Sequence, residues 1–277
     1  MLRKLMKHEL RATGRLMVPM LLVTLLTAVG ANLSIRWLLN MQGVLANVLG
    51  GLLLAASVLM PIAVWVMAFV LMIRRFYQNL LRDEGYLMMT LPVSVHKQIL
   101  SKTLVSVIWF AVALAAVVLS MLIAVADVSL VRSIGEGIRA LIELLRENGL
   151  SLSEQAVTMI TAICLWMPAL LILGCVNMCL QFYAALSIGH SFSAHKGMMS
   201  VLAYIAIQMA LGILSGVLTW LARVTGTGAL VSRLLEPMSH GLATNIALLG
   251  ATLAAALLAV AMHTVTAYFL TRRLNLE

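Results

Sequence analysis

RRFYQNLLRDEGYLMMTLPVSVHKQILSK, residues 74–102, is the stretch that decides how the rest of the chain is read. It separates two long apolar runs, is amphipathic, is basic at both ends and is broken by Pro92. It carries too many charges to lie within a bilayer. It is also too rich in Leu, Met, Tyr and Phe for a free solvated loop. Such a segment lies on a membrane surface and turns one face to a partner. The apolar runs on either side are then the membrane-embedded part.

Immediately upstream, residues 44–73 form a span long enough to tilt or to protrude from the bilayer, and Pro61 in its middle predicts a kink. Immediately downstream lies a span over 103–126. Further upstream, residues 16–38 form the first span, with Pro19 near its start and Arg36 and Asn40 at its far end, before a turn at Gln42-Gly43. Residues 1–15, MLRKLMKHELRATGR, place Leu2, Leu5, Met6 and Leu10 at helical spacing, with Arg3, Lys4, Lys7, Arg11 and Arg15 mostly opposite. That is the pattern of an interfacial helix on an anionic leaflet. A signal peptide is the alternative, with Ala28-Val29-Gly30 as a loose cleavage site, but the apolar run exceeds an ordinary h-region.

Further downstream, residues 127–154 form a second polar island. Ser133 and Glu136 make a capping-box pair, and Ile134, Ile138, Leu141, Ile142 and Leu145 form one apolar stripe. Arg139 and Glu143 are spaced to pair on the exposed side. The expectation is an extracellular amphipathic helix, followed by a second capping pattern at Ser151 and Glu154. Spans then follow at 155–188, containing Pro168, at 198–222, and at 244–270. Between the first two lies the loop GHSFSAHKG, residues 189–197. Gly212 and Gly216 offer a small-xxx-small face for close helix packing. Residues 223–243 hold Arg223, Arg233, Glu236 and Pro237 and cannot span, so they form an extracellular or re-entrant segment. The predicted fold class is an all-α polytopic membrane protein with six transmembrane helices and no separate soluble domain.

Composition agrees. Of 277 residues, 62% are hydrophobic and 10% charged, whereas soluble domains carry about 25% charged residues. The alternating ten-residue pattern of a membrane β-barrel is absent. The net charge of +9 has no polar domain on which to build a nucleic-acid groove, so it is read as an orientation signal. With the N-terminus cytoplasmic, thirteen of the 19 Lys and Arg fall on the cytoplasmic side and six on the other. Both termini are therefore expected inside. Cys164, Cys175 and Cys179 all lie in one apolar span, without metal spacing or a position suited to a disulfide.

Polar chemistry at depth is thin. Asn177 and Gln181 stand four apart in the fourth span, Gln208 lies in the fifth and His263 in the sixth. Interhelical hydrogen bonding is favoured for Asn177, Gln181 and Gln208 over contact with a transported molecule. No span holds an Asp, Glu or Lys well inside it, which argues against an ion-coupled carrier. His8, His96, His190 and His195 match no metal-ligand spacing and are read as solvated loop histidines, so no metal site is predicted. The motifs H-E-x-x-H, G-x-S-x-G and G-x-x-x-x-G-K-[ST] are missing. Without a phosphate-binding loop, any ATP that powers this protein sits on another polypeptide.

These residues and this layout resemble the permease subunits of ABC-2-type transporters, with an architecture like that of type V exporters. The resemblance rests on MLRKLMKHELRATGR and on residues 74–102. It extends to most of the chain through the six spans and the polar segment before the last one. It implies a bacterial cytoplasmic-membrane protein that pairs with a separate ATP-binding-cassette ATPase and a second permease subunit, identical or not. ATP and Mg would bind the ATPase; this chain would carry no cofactor and no catalytic residue.

The resemblance further implies that residues 74–102 are a coupling element docked on the ATPase. Tyr77, Leu80, Arg82, Asp83, Glu84, Gly85, Tyr86, Leu87 and Met88 would supply the contact. Asp83-Glu84 is the one acidic pair on a basic face and could select the ATPase surface. Gly85 lets the chain turn, and Tyr86, Leu87 and Met88 offer an apolar anchor. The island at 127–154 is longer than the family pattern. The implied function is export of an amphipathic or apolar substrate such as a peptide antibiotic, a drug or a lipid. The main rival is a membrane assembly or sensory protein that binds a cytoplasmic partner without transport.

Overall fold

The computed structural model describes residues 2–38, 41, 43–81, 93–126, 132–133, 135–137, 139–140, 143, 154–192, 195–227 and 240–272. The named helices, in chain order, are α1 (Leu2–Arg36), α2 (Val44–Leu81), α3 (Val95–Val125), α4 (Glu154–Thr161), α5 (Met167–Gly189), α6 (Lys196–Val224) and α7 (His240–Arg272). A π-helical turn, Ala162–Trp166, joins α4 to α5. No strand occurs among the described residues. Six helices are long and apolar enough to cross a membrane. The chain is an all-helical, multi-pass membrane protein.

Several helices outrun the apolar spans read from the sequence. α1 has 35 residues, about 50 Å of helix against a hydrocarbon core of about 30 Å. It runs unbroken through the predicted junction at Arg15-Leu16, so the basic N-terminal stretch and the first span are one element. α2 continues past Ile73 to Leu81, and α3 starts at Val95 rather than 103. The reason is that a change in composition alters which medium a helix prefers, not its backbone. The next residues whose type disfavours helix are Gly85 and Pro92, which lie outside the described residues. In the 127–154 island, residues 132, 133, 135–137, 139, 140 and 143 are helical, so Ser133 sits within helix rather than capping it.

The three described prolines are absorbed in two ways. Pro19 and Pro61 lie inside continuous α-helix. Pro168 instead follows the π-turn, where the Met167 N–H bonds to the Ala162 carbonyl. The wider turn relieves the clash between the proline ring and the preceding turn.

The chain forms two compact units, residues 1–75 with 104–150, and residues 76–103 with 151–277. Two of the boundaries between them fall inside continuous helix, one in α2 and one in α3. In the first unit, Trp109 Nε1 of α3 donates to Thr13 Oγ1 of α1 at 2.7 Å. Ser34 Oγ donates to the Gly50 carbonyl of α2 at 2.9 Å. Asn32 Nδ2 lies 3.0, 3.2 and 2.9 Å from the carbonyls of Ile123, Ala124 and Ala126, and the Arg36 guanidinium also donates to Ala126. One amide and one guanidinium thus supply donors to the carbonyls at the end of α3, where Ile123 also accepts from the Ala126 N–H at 3.2 Å. In the second unit α5 packs against both α6 and α7. Among the described residues, Ser200 is the sole buried position on α6.

Candidate functional site

The most tightly built region of the second unit is the root of the segment read as decisive. Phe76 and Leu80, one helical turn apart at the end of α2, have no exposed surface. Phe76 stacks flat on Tyr183 of α5, with ring centroids 4.0 Å apart and planes inclined by 7°. Asn79 and Leu81 are buried beside them in sequence, as are Gln98, Ile99, Ser101, Lys102 and Thr103 in the first turns of α3. Residues on both sides of 82–92 are therefore held in a close-packed core.

Two of the four histidines read as solvated, His190 and His96, make contacts that this reading does not give. His190, which follows the last residue of α5, is only 3% exposed. Its Nδ1 lies 2.9 Å from the Leu186 carbonyl, and since a carbonyl only accepts, Nδ1 carries the proton. Tyr77 meets the His190 ring edge-on, with centroids 5.2 Å apart. His96, on the first turn of α3, reaches His263 of α7, with Nδ1 and Nε2 3.0 Å apart. One ring must donate and the other accept, so the pair joins the start of α3 to α7. His8 and His195 are exposed, as the solvated reading expects. Spacing along the chain carries no signal of either contact, because both are made between helices far apart in sequence.

His190 makes a pH prediction. Burial lowers its pKa from the ordinary value, the hydrogen bond to Leu186 opposes that, and the Lys196 charge lowers it further. The unfolded chain then takes up a proton on this ring more readily than the folded chain does. The contribution of His190 is fully present above the unfolded value of about 6.5 and is lost as the pH falls through the lower folded value. Thermal unfolding in detergent from pH 7.5 to 5 should show this loss, and His190→Gln should flatten it. Parallel curves for the two proteins would contradict the assignment.

Of the residues expected to contact an ATPase, Leu80 has no surface to offer a partner, since it is wholly inside the core. Tyr77 is half-buried against His190. Arg82, Asp83, Glu84, Gly85, Tyr86, Leu87 and Met88 lie outside the described residues. The polar residues at depth do come together. Gln208 Nε2 of α6 donates to Gln181 Oε1 of α5 at 2.9 Å. One turn earlier on α5, Asn177 Nδ2 donates to the Ala255 carbonyl of α7 at 2.9 Å, while its Oδ1 is buried with no hydrogen-bond partner. These side chains tie α5 to both neighbours, each contact worth about 0.6–2 kcal/mol in a membrane.

Two further polar ties were not singled out from the sequence, those of Asn32 in α1 and Asn245 in α7. Trp166 Nε1 donates to Asn245 Oδ1 at 2.7 Å, bracing the π-turn against α7. An Asn inside an apolar run was the available signal for both. No group of three or more metal-ligating side chains occurs among the described residues. In comparison with known proteins, no family model, no curated protein and no solved structure matches this chain.

Proposed function

We propose that this chain is the permease subunit of an ATP-driven exporter of the ABC-2 type, with residues 74–102 as the cytoplasmic coupling element. In this reading both termini are cytoplasmic, the membrane is a bacterial cytoplasmic membrane, and ATP and Mg bind a separate ATPase. A second permease subunit completes the pathway, and the cargo is amphipathic or apolar. The observation that carries the reading is the burial of Phe76 and Leu80 on one side of residues 82–92 and of Gln98 and Ile99 on the other. A partner that pushed on 82–92 would move two long helices directly, because both flanks are rooted in the core and neither is a free surface helix. The Phe76–Tyr183 stack would pass the same displacement to α5. A segment that merely covered lipid headgroups would need no such rooting.

The test is purification of tagged protein in mild detergent, with mass spectrometry and an ATPase assay on the eluate. A stoichiometric soluble ATPase is expected, and Asp83→Lys with Glu84→Lys should release it while leaving the permease folded. Retention of the ATPase with unchanged turnover would remove the coupling role from this segment. A soluble partner without ATPase activity would favour the assembly or sensory reading.

A further inference from the structure

Within the first unit, α2 and α3 form a half-open cavity of about 560 Å³. That volume is in the range of ligand pockets, roughly 300–1,000 Å³. Trp65, half-buried, forms part of its wall and stacks on the buried Phe110, with centroids 5.6 Å apart. Pro61 and Ser120, both buried, line it as well. Val58, Ile62 and Met121 line it too, each more than half exposed, so they form its rim.

We infer that this cavity is a binding site for one acyl chain of a bilayer phospholipid. Three observations select that occupant. The wall is apolar, and its two hydroxyls already bond their own helices: Ser57 Oγ donates to the Leu54 carbonyl at 2.7 Å and Ser120 Oγ to the Val117 carbonyl at 2.8 Å. A polar or charged ligand would therefore lose its hydration without recovering hydrogen bonds. The cavity also lies in the two most apolar of the six spans by mean hydropathy, so the medium at its rim is hydrocarbon rather than water. Finally, leaving an apolar cleft of this size empty forfeits the dispersion contacts of its whole lining. A flexible hydrocarbon chain entering past Val58, Ile62 and Met121 recovers those contacts. This inference is independent of the transport reading and holds for any membrane role of the chain.

The test uses a protein whose sole tryptophan is Trp65, with Trp37, Trp109, Trp166 and Trp220 changed to Phe. It is titrated in detergent micelles with phosphatidylcholine carrying brominated chains. A companion protein keeps only Trp220, which is 61% exposed on α6. Trp65 fluorescence should fall by more than half, and saturate, at a brominated-lipid fraction that hardly affects Trp220. Unbrominated phosphatidylcholine should reverse the effect, and Ser120→Leu, which fills the cavity from its inner wall, should abolish it. Parallel curves for Trp65 and Trp220 would reduce the effect to general lipid contact and overturn the proposal. No quenching of Trp65 at any fraction would mean that protein covers the cavity, and would overturn it equally. If the tryptophan changes disturb folding, native mass spectrometry of the otherwise unaltered protein decides: one phospholipid retained, and lost in Ser120→Leu. Equal retention in both would count against the site.

Discussion

Phe76→Ala will destabilise the protein by about 3–5 kcal/mol, the range for deleting a buried aromatic side chain. The ring has no exposed surface, so its whole area returns to an unfilled space on truncation. Its partner Tyr183 is equally buried and cannot swing out to close the void without leaving the core of α5. The stacked geometry adds about 0.5–1.5 kcal/mol beyond burial alone, so Phe76→Leu should recover most but not all of the loss. Unfolding in mixed micelles, followed by circular dichroism, measures both variants. A cost for Phe76→Ala within the roughly 0.5 kcal/mol of ordinary surface substitutions would show that this stack is not what roots the segment. In the proposed exporter the same variant should uncouple transport from ATP turnover even where the ATPase still binds.

Gly189→Ala is expected to be the next most damaging small change. A methyl at this position would collide with Oγ and the backbone nitrogen of Ser200 and come within 2.5 Å of its Cα. A flexible side chain could move aside, but backbone cannot, so α6 would have to shift away from α5. Overpacking of this kind costs typically about 1–3 kcal/mol, and a displaced helix puts this case at the upper end or beyond. The control is built into the same helix pair. Gly212 and Gly216, read from sequence as the close-packing face, have nothing within 4 Å of an added methyl. Gly212→Ala and Gly216→Ala should then be neutral or stabilising, because alanine is favoured over glycine in a helix by about 1 kcal/mol. Thermal unfolding of the three variants side by side tests the contrast. A neutral Gly189→Ala would mean that the α5–α6 turn is looser than its geometry requires.

Sequence alone determined the features that depend on the medium a segment prefers. The six apolar spans, the basic face of residues 1–15, and the exclusion of a soluble or β-barrel fold all follow from hydropathy and helical spacing. Asn177, Gln181 and Gln208 were legible for the same reason, since a polar amide in hydrocarbon needs a partner on another helix.

Tertiary structure alone decided where helices end, which residues are inside and who meets whom. Composition changes at Leu16, Ile73 and Thr103, but helix continues across all three because nothing there breaks the backbone. Leu80 reads as part of an amphipathic docking face and His190 as a loop histidine, yet both are buried, His190 with its ring edge against Tyr77 of α2. The close glycine is Gly189 and not the Gly212–Gly216 pair, because the approach of two backbones is set by how a turn brings helices together, and small-residue spacing only permits it. Asn32 meets the end of α3 some ninety positions away, a contact that no local window contains. Local sequence reports the solvent of each segment; the identity of its neighbours is a property of the assembled helices.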